Sequence, residues 1–334
     1  MSFNLENRRY IGSKAKLANW IFEILEREAK NAKSFADLFA GTGVISNLAV
    51  SKFKKVIIND ILYSNNVIYK AFFEHSSWKK EKLEELLKCY NTLKSKTIEE
   101  NYFSKNFGGK FFEHNTAKLI GYIRQDIENI KEKLTEKEYN ILLASLIYSI
   151  DRLANTVGHF EAYIKKPIKK KHFNFRLINP QTFSKVKIYS KEANVLAKEI
   201  KSDLVYIDPP YNSRQYSRFY HLYENLVKWD KPKVFGTALK PKVENMSTYC
   251  TVKAKASFED LIKNLNTRYI AVSYNNTYNS KSGSSKNKIE LEDIKTILKT
   301  KGNIKIFEHT HNFFNAGKTN FNNHKELLFL CEVK

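Results

Sequence analysis

Apolar and polar positions divide the chain into two stretches of α/β pattern with a long helical stretch between them. Leu17, Trp20, Ile21, Ile24 and Leu25 recur at helical spacing, with Ser13 as a candidate cap. Residues 35–39 then read as a strand, Gly41 and Gly43 as a tight turn, 44–50 as a helix, 56–60 as a second strand and 61–73 as a helix. Beyond this point the alternation breaks. An amphipathic helix is predicted over 79–94, with Leu83, Leu86 and Leu87 inward, then an aromatic, irregular stretch over 101–114 that turns at Gly108-Gly109. A further helix covers 116–134, and Thr135-Glu-Lys-Glu138 is a capping box opening an apolar helix over 139–153. Helices in succession without intervening strands predict an inserted lobe.

Strand and helix alternate again from residue 186. Strands are predicted at 186–189, 204–207, 269–274, 304–308 and 327–332, and helices at 191–200, 219–228, 257–265 and 289–298. Residues 230–256, with Pro232, Gly236 and Pro241, read as an exposed loop, and 275–285 as a flexible polar loop. The expected organisation is one α/β domain from 1–75 and 185–334, interrupted by a mainly helical lobe at 76–184.

At 334 residues and 42% hydrophobic, the chain can bury a full core. Lys and Arg number 57 against 35 Asp and Glu, a net charge of +22. That balance points to a polyanionic partner, nucleic acid before an anionic membrane surface, although AT-rich coding inflates the lysine count. No apolar run approaches the roughly 18 residues of a membrane helix. Cys89, Cys250 and Cys331 are odd in number and widely spaced, which favours a reducing, cytoplasmic setting over a metal knuckle. His309 and His311 alternate on a predicted strand without a matching acid or Cys cluster, so no metal site is expected.

The candidate chemistry centres on Asp203-Leu-Val-Tyr-Ile-Asp-Pro-Pro-Tyr211. The apolar run favours a buried strand, and Pro209 and Pro210 must end it, which aims Asp208 at the carboxyl edge of a sheet. An acid, a carbonyl and the Tyr211 ring together suit a flat, hydrogen-bonding ligand; an ordinary strand exit is the alternative. Asp37-Leu-Phe-Ala-Gly-Thr-Gly43 followed by Asn59-Asp60 gives strand, glycine turn, helix, strand and acid, a nucleoside-binding pattern in which Asp60 would meet ribose hydroxyls. Arg8-Arg-Tyr-Ile-Gly-Ser-Lys14 before a helix could hold a carboxylate, or be a plain basic arm. Glu192 or Asn194, after a strand end, could meet an adenine edge or simply start a helix. The loop ending in Lys165, Lys166, Lys169, Lys170 and Lys171 suits phosphate contacts, unless it is only a solvated lysine run; Arg214 and Arg218 follow the Tyr211 motif.

Taken in order, these motifs resemble the S-adenosylmethionine-dependent DNA adenine-N6 methyltransferases of the D12 class, the alpha group that includes the Dam-like enzymes. The 155–166 segment and Tyr211-Asn-Ser-Arg-Gln-Tyr216 are more similar to members of restriction–modification systems. One departure is Asp37-Leu38 where the family more usually has an acid and a proline.

The resemblance implies a Rossmann-like methyltransferase sheet with helices on both faces and a helical DNA-recognition lobe, to which 230–256 adds a possible contact loop. It implies S-adenosylmethionine as cofactor, double-stranded DNA and a cognate restriction endonuclease as partners, and base flipping. Tyr10, Lys14, Asp37, Phe39, Gly41, Gly43 and Asp60 would line the cofactor, Lys14 toward the methionine carboxylate. Asp208 and the Pro209 carbonyl would accept hydrogen bonds from the adenine amino group, Tyr211 would stack on the ring, and the 273–275 strand end would pack beside it. The same grip would serve cytosine N4 or an RNA adenine, and a DNA-binding protein with a decayed core is the alternative of another class.

Overall fold

Short runs rich in β-branched and aromatic residues form the strands β1 (Ser34–Asp37), β2 (Lys55–Asn59), β3 (Val186–Tyr189), β4 (Leu204–Ile207), β5 (Tyr269–Asn275), β6 (Gly302–Thr310) and β7 (Lys325–Val333). The computed structural model describes residues 2–276, 287–310 and 325–334. Within them the strands make one sheet in the order β3-β2-β1-β4-β5-β7-β6. The strands from β3 to β5 are mutually parallel, and β7 runs antiparallel between β5 and β6. Strand order reverses between β1 and β4, which opens a crevice at their carboxyl ends.

Side chains alternate between two apolar cores, one on each face. Phe35, Leu204, Tyr206 and Ala271 face the first; Ala36, Val205, Ile207 and Val272 face the second. This double burial is why β4 reads as an unbroken apolar run. The helices α1 (Ala18–Glu28), α2 (Val44–Lys52) and α3 (Tyr63–Phe73) cover the first face.

The helical stretch supplies α4 (Lys80–Thr92), α5 (Tyr102–Phe107), α6 (His114–Asn129) and α7 (Glu136–Asp151). Thr135 and Glu138 cap α7 reciprocally, as the sequence pattern implies. Leu83, Phe103, Ile123 and Ile141 of these helices share the first core with Phe35, and α7 lies along α3. The stretch expected to be irregular contains α5. Asn101 caps it by accepting from the Phe103 and Ser104 amides, and Phe103, Phe107 and Phe111 form one inward stripe. Aromatic crowding obscured that helical spacing.

The second face is covered by α8 (Ala193–Ala197), α11 (Ala254–Asn264) and α12 (Leu291–Lys299), while α9 (Tyr216–Phe219) and α10 (His221–Lys228) return to the first. The predicted helix at 191–200 is reduced to α8, and 219–228 is broken at Tyr220. The expected exposed loop at 230–256 holds buried Tyr249 and Cys250 and the first turn of α11. Ser13 is not the cap of α1, which begins at Ala18 after Leu17; its hydroxyl accepts the Ala15 amide at 3.4 Å in the preceding turn. Most of the 275–285 loop, and His311, lie outside the described residues.

Candidate active site

Asp37 ends β1, Asp60 follows β2 and Asp208 follows β4, so adjacent parallel strands deliver three carboxylates to one edge of the sheet. Asp37 is fully buried; Ser46 Oγ donates to its Oδ2 at 2.7 Å, while Oδ1 has no partner. Burial, only partly offset by Ser46, pushes the Asp37 carboxyl up to about 8, and the charges of Asp208 and Asp60 push the same way. Asp60 organises the glycine turn by accepting the Gly41 amide on Oδ2 at 2.9 Å and the Leu62 amide on Oδ1 at 2.8 Å. Burial still raises its pKa despite those two amides.

Gly41 (φ 54°) and Gly43 (φ 79°) both lie in the left-handed region. A side chain at Gly43 would meet Tyr69 Cε1 at 3.1 Å, and one at Gly41 would touch Tyr10 Cε1 at 3.5 Å. The turn therefore passes beneath Tyr10. Arg8 is buried with its guanidinium 4.9 Å from the Tyr10 ring centre, and its Nη2 donates to Asn65 Oδ1 at 2.7 Å. The Tyr10 ring clusters with those of Tyr220 (centroids 4.6 Å apart, 8° between planes) and Tyr216 (5.4 Å, 18°), which lie 6.3 Å from each other.

Lys14 is buried and bridges the acids. Its ammonium lies 3.0 Å from Asp208 Oδ1 and 3.9 Å from Glu326 on β7, and donates to Tyr211 Oη at 2.6 Å. Tyr211 in turn donates to Asp208 Oδ1 at 2.5 Å. Burial pulls the Lys14 pKa down, but Asp208 and Glu326 outweigh it and hold the group cationic. Burial raises the Asp208 carboxyl, opposed by Lys14 and Tyr211. Tyr211 packs edge-on against Tyr274 of the 273–275 strand end, with centroids 4.6 Å apart. Pro209 is buried and Pro210 half-buried.

The structure thus gathers Tyr10, Lys14, Asp37, Gly41, Gly43, Asp60, Asp208 and Tyr211 at one edge. Phe39 lies beside them, edge-on to Tyr249 at 5.0 Å. Asn194, expected near an adenine edge, has its amide engaged within the protein. Its amide nitrogen donates to Ser257 O and Asp260 Oδ2, and its oxygen accepts from Tyr249 Oη, so it ties α8 to α11. Glu192 is half-buried at the start of α8. Lys165, Lys166, Lys169, Lys170, Lys171 and Arg214 are exposed, and Arg218 is half-buried. Sequence reasoning missed Tyr216, Tyr220, Tyr69 and Glu326, which reach the site only through the tertiary fold. It also gave no separate role to Asn59, which pins the β1, β2 and β3 exits together through Leu38 and Lys191.

A family model described as "D12 class N6 adenine-specific DNA methyltransferase" matches residues 10–297. The Type II methyltransferase M.FokI of Planomicrobium okeanokoites is 33% identical over 318 residues, covering 88% of this chain and 47% of that protein. The chain spans about half the length of M.FokI and of two further such relatives, the modification methylases LlaI and StsI. Others are matched almost end to end. M.CviAII of Paramecium bursaria Chlorella virus 1 is 31% identical over 97% of this chain and 98% of its own, and M.NlaIII of Neisseria lactamica is 31% identical over 95% of each. The chain belongs to the D12 class of N6 adenine-specific DNA methyltransferases.

Proposed function

We propose that this chain transfers a methyl group from S-adenosylmethionine to the N6 amino group of adenine in a specific double-stranded DNA sequence, as the modification enzyme of a restriction–modification system. The observation that carries this reading is the Lys14–Asp208–Tyr211 cluster beside a carboxylate-rich glycine turn at the switch point of the sheet.

The residues fit the cofactor. Asp37 Oδ1 is buried without a hydrogen-bond partner, and burial first, then the charges of Asp208 and Asp60, raise the Asp37 pKa at this carboxylate-rich edge. A site with that excess of carboxylate favours a ligand carrying positive charge, and S-adenosylmethionine carries a sulfonium and an ammonium. Asp60 would hold the ribose hydroxyls, the Gly41–Gly43 turn would allow close backbone approach, and Tyr10 would offer an aromatic wall. When bound, the cofactor supplies an electrophilic methyl group.

The remaining work belongs to the chain. The target adenine leaves the base stack at a cost of roughly a few kcal/mol and enters the crevice. Asp208 and the Pro209 carbonyl accept hydrogen bonds from its amino group, drawing the nitrogen lone pair out of conjugation and stabilising the positive charge that grows on it. Lys14 keeps the carboxylate oriented, and Tyr211 bounds the ring. The nitrogen then sheds one proton, for which burial raises the affinity of the Asp208 carboxyl. Holding the reacting atoms in line supplies much of the remaining acceleration. The helical segment 76–184, the exposed Lys165–Lys171 loop and residues around 230–256 would embrace the DNA. On this reading the protein works in the cytoplasm beside a cognate restriction endonuclease; no helix among the described residues is long and apolar enough to cross a membrane. Asp208→Ala tests the assignment: it should retain cofactor and DNA binding and lose methyl transfer, and wild-type-like turnover would overturn it.

A further inference from the structure

Beyond the cofactor crevice, a cavity of about 490 Å³ opens between the segment following α7 and the loop that follows Tyr211. It is lined by His159 and Glu161 on one side and by Ser213, Arg214, Gln215 and Arg218 on the other. The 230–256 stretch closes its rim. Arg218 Nη1 donates to Pro241 O at 2.9 Å, Lys240 Nζ meets Glu161 Oε1 at 2.6 Å, and Gln215 exchanges hydrogen bonds with the Ser247 backbone at 2.8 and 2.9 Å. Three separate segments therefore meet at one cavity, a short tether away from Tyr211.

Its chemistry is mixed. The His159 ring is fixed flat against Phe219, with centroids 4.6 Å apart and 14° between planes. His159 Nδ1 accepts the Glu161 amide at 3.2 Å, so the neutral ring carries its proton on Nε2. Burial lowers the His159 pKa, and Arg214 and Lys240 add to that against the opposing charge of Glu161, which favours this neutral form. Arg214 and Arg218 suit phosphate oxygens. The Glu161 carboxylate does not, since it would repel them. A carboxylate acceptor beside an imidazole donor, flanked by guanidinium groups, matches the edge of a base held between phosphates.

We infer that this cavity reads a base of the target DNA near the methylated adenine, with Glu161 and His159 as specificity-determining residues. The inference rests on the adenine-methyltransferase reading above. Glu161 is exposed, and Glu161→Gln keeps its shape; His159→Phe keeps the stack on Phe219 while removing the ring N–H.

The test maps methylated adenines at single-base resolution in DNA treated with wild type and each variant. It also measures kcat/KM on the cognate site and on every single-base change of it, with S-adenosylmethionine binding as the check on folding. Discrimination at one position beside the target should fall by roughly 5- to 100-fold, the worth of one base contact. Unchanged discrimination, or a loss uniform across all sequences as a phosphate contact would give, would overturn the inference. A wild-type chain that binds the cofactor yet makes no N6-methyladenine in DNA would instead sink the functional reading, and this inference with it.

Discussion

Lys14 Nζ lies 3.0 Å from Asp208 Oδ1, and the side chains of both are largely withdrawn from water. One arrives from the loop before α1 and the other from the exit of β4, so the pair joins the amino-terminal arm to the switch point. Removing one partner from a buried pair leaves an uncompensated charge and costs about 3 kcal/mol or more. Lys14→Met should therefore lower the urea midpoint, and adding Asp208→Asn should return part of the loss. A double-mutant cycle with no interaction energy would show that the contact does not hold the arm.

Gly43 tests the glycine turn. Gly43→Ala places a methyl group 3.1 Å from Tyr69 and 3.3 Å from Leu5 at a φ of 79°. Backbone strain alone predicts a loss of about 1–2 kcal/mol in folding stability. Cofactor affinity measured by calorimetry should fall as well, because the same turn frames Asp60. An alanine variant as stable as the parent would contradict this account of the turn.

Burial pushes the Asp37 carboxyl up to about 8, so it is largely protonated at neutral pH in the ligand-free chain. A cationic ligand favours its ionised form, so binding should release a proton. Affinity should then rise with pH up to about 8 and level off above it. Folding runs the opposite way: the native state binds the proton more tightly than the unfolded chain, so Asp37 weakens stability as pH rises from its ordinary value of 3.8 toward 8. Calorimetry in buffers of different ionisation enthalpy reads the proton directly. Binding heats that do not depend on the buffer would contradict the release.

DNA binding should weaken steeply with salt, as expected of a chain with a net charge of +22. Replacing Lys169, Lys170 and Lys171 with Gln should flatten the log–log slope by up to roughly one for each phosphate left without its lysine, and should not alter the methylated sequence. An unchanged slope would remove that loop from the interface.

The sheet was legible because doubly buried strands are short apolar runs, and residues such as Leu204 and Ile207 mark them plainly. Asp37, Asp60 and Asp208 were legible because each follows such a run. The clustering of Tyr10 with Tyr216 and Tyr220 was not, since no period in the chain links the amino-terminal arm to residues 216–220. Glu326 likewise reaches Lys14 only because β7 inserts beside β5. Asn194 carried a plausible sequence signal, yet its amide is spent on Ser257, Asp260 and Tyr249. A polar residue after a strand end serves packing as readily as binding.

Methyl transfer to adenine N6 can be read from its product. Purified protein is incubated with duplex DNA and methyl-labelled S-adenosylmethionine, and the DNA is digested to nucleosides and analysed by mass spectrometry. The proposed chemistry predicts label in N6-methyldeoxyadenosine, abolished in Asp208→Ala. Label in N4-methyldeoxycytidine, or transfer to RNA but not DNA, would contradict it.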